Sequence, residues 1–259
     1  DEVFGGYNRY LWSKNINLLL NLTPFYLRKL LAEILLKFPR KINIMIFKVI
    51  LNIFNLSKDI SLFSDKTYKF LILLKNLKNF EDLYSYLITE WKHNDNLFIS
   101  SDDYYKGIQK PLKLDGLNMS ENMMLNDTIY YLPDDIMYKV DRSSMSNSLE
   151  TRAPLLGKKV LELAWKIPFN KKISGNKFGK KIIADVLKDF LPSELFIRPK
   201  MGFSIPISNW LRSEMKEFTY DTIISNKNII KDYLNEDIII KNLDDHMNFK
   251  KDSQYKLWS

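Results

Sequence analysis

The chain has 259 residues, with 39 Lys+Arg against 31 Asp+Glu, a formal charge of +8, two His and no Cys. That length suits one large domain or two small ones, and 46% hydrophobic residues are too many for a disordered tail. Zero Cys excludes disulfides, a thiol nucleophile and Cys-ligated zinc, while His93 and His246 lie too far apart in sequence to suggest a His metal cage or a Ser-His-Asp triad.

Catalysis would therefore fall to Asp, Glu, Lys, Arg, Tyr or Ser, working with a bound metal. Asp1 and Glu2 stand just before the Gly5-Gly6 turn. Such a pattern can set a magnesium carboxylate beside backbone that approaches phosphate, and it can equally be any tight turn. Residues 14–125 are patterned for helices, with Leu18, Leu19 and Leu22 in one cluster and Leu27, Leu30, Leu31, Ile34 and Leu35 at three- and four-residue steps. Pro24 and Pro39 punctuate them. Between Lys14 and Lys58 the charge is nearly all positive, from Arg28, Lys29, Lys37, Arg40, Lys41 and Lys48. Amphipathic helices with their basic residues on the wet face are expected, rather than a nucleic-acid or lipid site. The most apolar run, Ile42 to Leu56, is interrupted by Asn43, Lys48, Asn52 and Asn55 and falls short of the roughly 18 apolar residues of a membrane span. No leader-peptide pattern opens the chain, so a cytoplasmic location is expected.

Residues 94–120 are polar and read as loops and turns. Pro133-Asp134-Asp135 predicts a helix start, with the helix running to about Leu149. On it Asp135, Lys139 and Arg142 fall at i, i+4 and i+7, a spacing that also describes a solvated ion pair worth tenths of a kcal/mol. Glu150 and Arg152 follow, open to the same local reading. A helix is predicted over Lys158–Lys166, with Val160, Leu163, Ala164 and Ile167 on one face. The loop from Gly175 to Lys181 is one residue too short for a Walker A loop and lacks its hydroxyl. Lys180 and Lys181 nonetheless open a predicted helix, Lys180–Leu191, where free N–H groups favour an anion. Lys200 sits between Pro199 and Met201-Gly202, in the kind of loop that can close over a ligand. Ser208 is the predicted N-cap of a helix reaching about Phe218. Short helical patterns fill residues 219–259, with almost no strand signal, so this chain is expected to be mainly α.

Several blocks, taken in order, resemble the synthetase domain of glutamine-hydrolysing asparagine synthetases. They are Asp1-Glu2-Val3-Phe4-Gly5-Gly6-Tyr7, Tyr131-Leu132-Pro133-Asp134-Asp135, Lys139-Val140-Asp141-Arg142-Ser143-Ser144-Met145, Leu149-Glu150-Thr151-Arg152-Ala153-Pro154-Leu155-Leu156, Arg198-Pro199-Lys200-Met201-Gly202-Phe203 and Tyr255-Lys256-Leu257-Trp258. Residues 14–125 match only in being helical. The resemblance implies the helical C-terminal part of an α/β ATP-pyrophosphatase-type domain, divided into a variable helical region at 14–125, motif-bearing helices and loops at 126–218 and a helical tail at 219–259. It implies ATP and Mg²⁺ as cofactors, aspartate as the acid, ammonia from glutamine, and a possible homodimer. Asp1 would be the metal ligand. Lys200 and Lys180 would hold phosphate oxygens, and Gly5 and Gly6 would lie against the phosphates. Asp135 would stand in for an acid that other members carry three residues before Lys139, a place taken here by Ile136. Arg142, Glu150 and Arg152 would form a buried polar network behind this wall. The family's glutaminase domain and its SGGxDS pyrophosphate loop are missing from this sequence, so the chain is expected to be a fragment, inactive alone. The alternatives are a related adenylating enzyme that amidates another acid or closes a lactam, and a helical module whose basic 14–58 region docks on nucleic acid or membrane.

Overall fold

A computed structural model describes residues 1–38, 42, 45, 71–92, 95–100, 110–175, 179–196, 205–226 and 230–259. Among them the chain is helical, and the one β contact is an isolated antiparallel bridge between Phe98 and Leu234. Two compact units divide the chain, the first from Asp1–Tyr84 and Pro111–Arg198, the second from Ser85–Lys110 and Pro199–Ser259. No described helix is long and apolar enough to cross a membrane.

In the first unit a helix spans Asn8–Leu22 and a second spans Phe25–Lys37. The break falls at Thr23, held extended because the following Pro24 disfavours helical geometry at the residue before it. The first helix packs on a third, Met119–Asn126. Small side chains let the two approach: the Ser13 and Ser120 hydroxyls lie 2.5 Å apart, and Ser120 Oγ donates to the Tyr10 carbonyl at 2.9 Å. The Met119–Asn126 helix begins on a reciprocal capping box between Asn118 and Glu121, a start signal that lies inside the stretch expected to be loop.

The leucine ladder at 18–34 does not form the core of the described residues. Leu18, Leu22, Leu27, Leu30, Leu31 and Ile34 are exposed, whereas Arg28 and Ala32 are buried. Arg28 thereby departs from the expected wet basic face. Its guanidinium donates to the Leu20 and Leu77 carbonyls, each at 3.1 Å, satisfying backbone acceptors that helix ends leave unpaired. Lys29 and Lys37 are exposed as expected. Arg40, Lys41 and Lys48 lie outside the described residues, as does the side chain of Lys14.

The helix predicted to start at Pro133 has no start there. The Met119–Asn126 helix runs directly into a π-helix, Asp127–Met137, and then into an α-helix, Tyr138–Met145. Pro133 sits inside the wide turns, where the Tyr138 N–H reaches back five residues to the Pro133 carbonyl. The helix stops at Met145, and Ser148 takes a left-handed φ of 58° just beyond it. The helix at Lys158–Lys166 has the predicted bounds. Ala164 from it is fully buried with Val3 and Phe4, flanked by Val160, Leu161, Trp165, Ile182 and Ile183, whereas Leu163 is exposed.

The second unit gathers Ile207–Arg212, Lys216–Ser225, Glu236–Met247 and Gln254–Trp258. Ser208 is not an N-cap. Its N–H donates to Gln254 Oε1 at 3.1 Å from inside the Ile207–Arg212 helix, which ends at Ser213 rather than at Phe218. His246 is fully buried. Its Nδ1 accepts the Ser253 N–H at 3.2 Å and faces Arg212 Nη2 at 3.1 Å, which puts the ring proton on Nε2. Burial first, then the Arg212 charge, lower its pKa below the ordinary histidine value. The ring is therefore neutral, and its 3.4 Å approach to Asp252 is not an ion pair. His93 lies outside the described residues.

Candidate active site

The first seven residues form a tight turn whose interior faces are buried. Val3 and Phe4 anchor it in the apolar cluster with Ala164, and the Gly6 N–H closes it on the Asp1 carbonyl at 2.8 Å. Gly5 takes a left-handed φ of 69°, a conformation glycine adopts at no steric cost. At Gly6 a Cβ would collide with the Asp1 carboxylate and the Lys180 side chain, and at Gly179 with the Gly5 carbonyl. The turn and the 179–180 segment thus touch backbone to backbone, and the Lys180 N–H donates to the Phe4 carbonyl at 3.1 Å. The glycines at 6 and 179 answer this contact within the chain.

Lys180 does not lie in the helix it was expected to begin. It is the residue before Lys181–Leu187, with a left-handed φ of 57° that costs a non-glycine residue of order 1–3 kcal/mol. The Phe4 carbonyl and the ion pair to Asp1 hold it there: Lys180 Nζ lies 2.5 Å from Asp1 Oδ1. Burial lowers the Lys180 pKa, and the Glu2 charge opposes that shift. Of the two acids in the turn, Asp1 faces the lysine, whereas Glu2 is buried and accepts the Tyr7 hydroxyl at 2.7 Å. Among the described residues no three His, Cys, Asp or Glu side chains gather as a complete metal cage. The donor set fits one carboxylate position on a magnesium ion that draws its other ligands from phosphate and water, as magnesium commonly does.

Directly after the turn stands a buried polar cluster that sequence inspection missed. The Asp127 carboxylate, 0% exposed, accepts Arg9 Nε at 3.0 Å and Tyr84 OH at 2.7 Å, and also the Tyr10 hydroxyl. Arg9 Nη2 lies 2.8 Å from the same Asp127 oxygen as Nε. Burial pushes the Asp127 carboxyl up, and Arg9 and the two phenols pull it back. The Arg9 guanidinium also lies over the Tyr7 ring at 4.4 Å and the Tyr131 ring at 5.3 Å.

The remaining predicted residues are dispersed over the surface. Asp135 pairs with Lys139 at 3.5 Å on an exposed face. Arg142 is exposed and stacks on the Tyr138 ring at 5.2 Å without joining them. Glu150 and Arg152 pair with each other, their side chains 68% and 85% exposed. The expected buried network of Arg142, Glu150 and Arg152 is thus absent from these described residues, because the segment after Met145 leaves the helix and packs under nothing. Lys200 and its loop lie outside the described residues. The structure therefore brings together Asp1, Gly5, Gly6 and Lys180, and leaves Asp135, Arg142, Glu150 and Arg152 apart from them in direct contact.

The family model for asparagine synthase matches residues 1–259. The chain belongs to the asparagine synthase family. Among individual relatives in that family, "Asparagine synthetase [glutamine-hydrolyzing] 1" of Bacillus subtilis (strain 168) is 31% identical over 162 residues, covering 60% of this chain and 24% of the relative. A putative asparagine synthetase of Mycobacterium tuberculosis (strain ATCC 25618 / H37Rv) is 32% identical over 134 residues, 51% of this chain and 20% of the relative. A probable asparagine synthetase of Acanthamoeba polyphaga mimivirus is 34% identical over 98 residues, 35% of this chain and 18% of the relative. The chain thus spans a quarter or less of the length of these curated relatives. No solved structure matches it.

Proposed function

We propose that this chain forms the helical C-terminal part of a synthetase domain that makes asparagine. ATP and the side-chain carboxylate of aspartate would give an acyl-adenylate and pyrophosphate, and ammonia released from glutamine elsewhere in the full-length protein would displace AMP. Family membership along the whole chain supports this reading. The observation that carries it into geometry is the Asp1–Lys180 pair, held on the Gly5-Gly6 turn by backbone contacts that exclude larger residues.

The departing pyrophosphate carries charge that fixed cations stabilise best when they are positioned in advance. Magnesium, when bound with ATP, would neutralise part of that charge, with Asp1 supplying one ligand. Lys180 is poised next to that carboxylate by a strained backbone and would turn its ammonium toward phosphate oxygens. Lys200, assigned from the resemblance of its loop, would meet the same oxygens from the other side. The described helices supply walls, and the nucleotide sheet of the complete α/β domain would come from outside this chain.

The test is aspartate-dependent pyrophosphate release and asparagine formation by the full-length protein with ATP, Mg²⁺ and glutamine. Matched amounts of pyrophosphate and asparagine are expected, and none from the 259-residue chain alone. Release with another acid but not with aspartate would move the assignment to a related adenylating enzyme. In the full-length protein Lys200→Ala should lower kcat by about 10² or more, and Lys200→Arg should not fully restore it, since a planar guanidinium does not replace a compact ammonium. Wild-type asparagine formation by Lys200→Ala would remove that loop from the site.

A further inference from the structure

Two stretches that the synthetase reading places at the site, the Asp1–Gly6 turn and the Asp135 stretch of the π-helix, do not touch through their own assigned residues. Arg9 lies between them. Its guanidinium covers Tyr7 on one side, and Tyr7 donates to Glu2 inside the turn. It also covers Tyr131, whose phenol is raised first by burial and next by the Asp135 carboxylate that it faces. Tyr7 and Tyr131 meet edge to face, with centroids 5.9 Å apart. Asp127, from the start of the same π-helix, fixes the guanidinium by its charge and by the Nε bond at 3.0 Å.

We infer that Arg9 is a positioning residue that ties the Asp1–Gly6 turn to the Asp135 stretch, by stacking between Tyr7 and Tyr131 while anchored on Asp127. On the proposed synthetase activity, on which the catalytic side of this role rests, a loosened Arg9 would let the Asp1 carboxylate drift relative to the π-helix. Arginine suits this place and lysine does not. A guanidinium is flat enough to stack on two rings and forked enough to hold a carboxylate at once, whereas an ammonium is a point charge.

The experiment uses the full-length protein with Arg9→Lys, Tyr7→Phe and Tyr131→Phe, alone and combined, read in two ways. The first reading is denaturant midpoint. With Arg9 present, the effects of Tyr7→Phe and Tyr131→Phe should be non-additive, and with Arg9→Lys they should add, because the shared partner is gone. The second reading is pyrophosphate release. Arg9→Lys should lower kcat by about tenfold and raise the Mg²⁺ concentration for half-activity several-fold, as expected for a small displacement of a reacting group. A residue that merely stabilises the fold would shift the midpoint and leave the Mg²⁺ dependence of the folded fraction unchanged. Additive tyrosine effects in the Arg9 background would overturn the proposal, as would a folded Arg9→Lys protein with normal Mg²⁺ dependence. Should Arg9→Lys fail to fold, Asp127→Asn keeps the shape while loosening the anchor, and the same two outcomes decide. Coupled tyrosines in a protein that releases no pyrophosphate with aspartate would uphold the tie and refute the synthetase reading instead.

Discussion

Two arginine–carboxylate pairs in the first unit have the same chemistry and opposite surroundings. Arg152 and Glu150 are two residues apart, and their side chains are 85% and 68% exposed. Arg9 and Asp127 are 118 residues apart, and the carboxylate is 0% exposed. An exposed pair is worth about 0–1 kcal/mol, because water screens the attraction and two long side chains lose freedom. A buried pair costs several kcal/mol per ion in lost hydration, and stands only where further hydrogen bonds satisfy what remains. Tyr10 and Tyr84 supply those bonds at Asp127. The pair that is easy to see in the sequence is therefore the one that does least for the fold. The pair with no local signature joins the chain's first helix to the start of the π-helix.

That contrast can be broken by experiment. Asp127→Ala would leave Arg9 buried without a counter-charge and two phenols without an acceptor, and should cost about 3–5 kcal/mol in urea unfolding of the full-length protein. A cost near that of a surface pair would erase the distinction. Gly6→Ala tests how closely the turn is packed. The new methyl meets the Asp1 carboxylate and the Lys180 stem, and should cost about 1–3 kcal/mol. Combined with Lys180→Ala, which clears one of those neighbours, the loss should be smaller than the sum of the two changes.

His246 sharpens the comparison in the second unit, where a buried group is neutral rather than paired. Its folded pKa lies below the unfolded value of about 6.5, so the unfolded chain takes up the proton first. Its contribution is complete above that pH and is lost as pH falls toward the folded value. The thermal midpoint should drop through this window in the wild type, and His246→Gln should show a shallower drop. Identical slopes would mean that the ring is not protected. The smallest effect is expected at the exposed pair. Glu150→Ala and Arg152→Ala should each change unfolding free energy by less than about 1 kcal/mol. A larger loss would show that something in the full-length protein covers these residues.

Helix periodicity is local, and what is local was legible. The Lys158–Lys166 helix has its predicted bounds, and Pro24 divides two helices as expected. The Gly5-Gly6 turn was found with its correct acid, Asp1, and with Lys180 as a cation for the same site, because glycine pairs and charges at helix starts are short-range signals. Burial is not local. The leucines at 18–34 have helical spacing, yet spacing alone cannot say which face is covered, and there the buried residues are Arg28 and Ala32. Nor could any window of sequence connect Arg9 with Asp127, since neither stands in a pattern that announces a partner so far away. One signal was available and overlooked: Asn118 followed three residues later by Glu121 opens a helix.

The π-helix at Asp127–Met137 has a further consequence, for how this chain compares with its kin. One extra residue per turn is the trace an insertion leaves when a helix absorbs it without looping out. Removing one residue from these 11 would return the segment to ordinary winding and swing everything after it by about 100°, one residue's step in an α-helix. Counting positions therefore misleads here, because two relatives can share a residue number and present it in different directions. The acid that other members carry three places before Lys139 and the Asp135 found here differ by a single position, the offset that one such turn absorbs. Correspondence across this stretch belongs to orientation about the helix axis, and the chain's own numbering drifts out of phase with it between Asp127 and Met137.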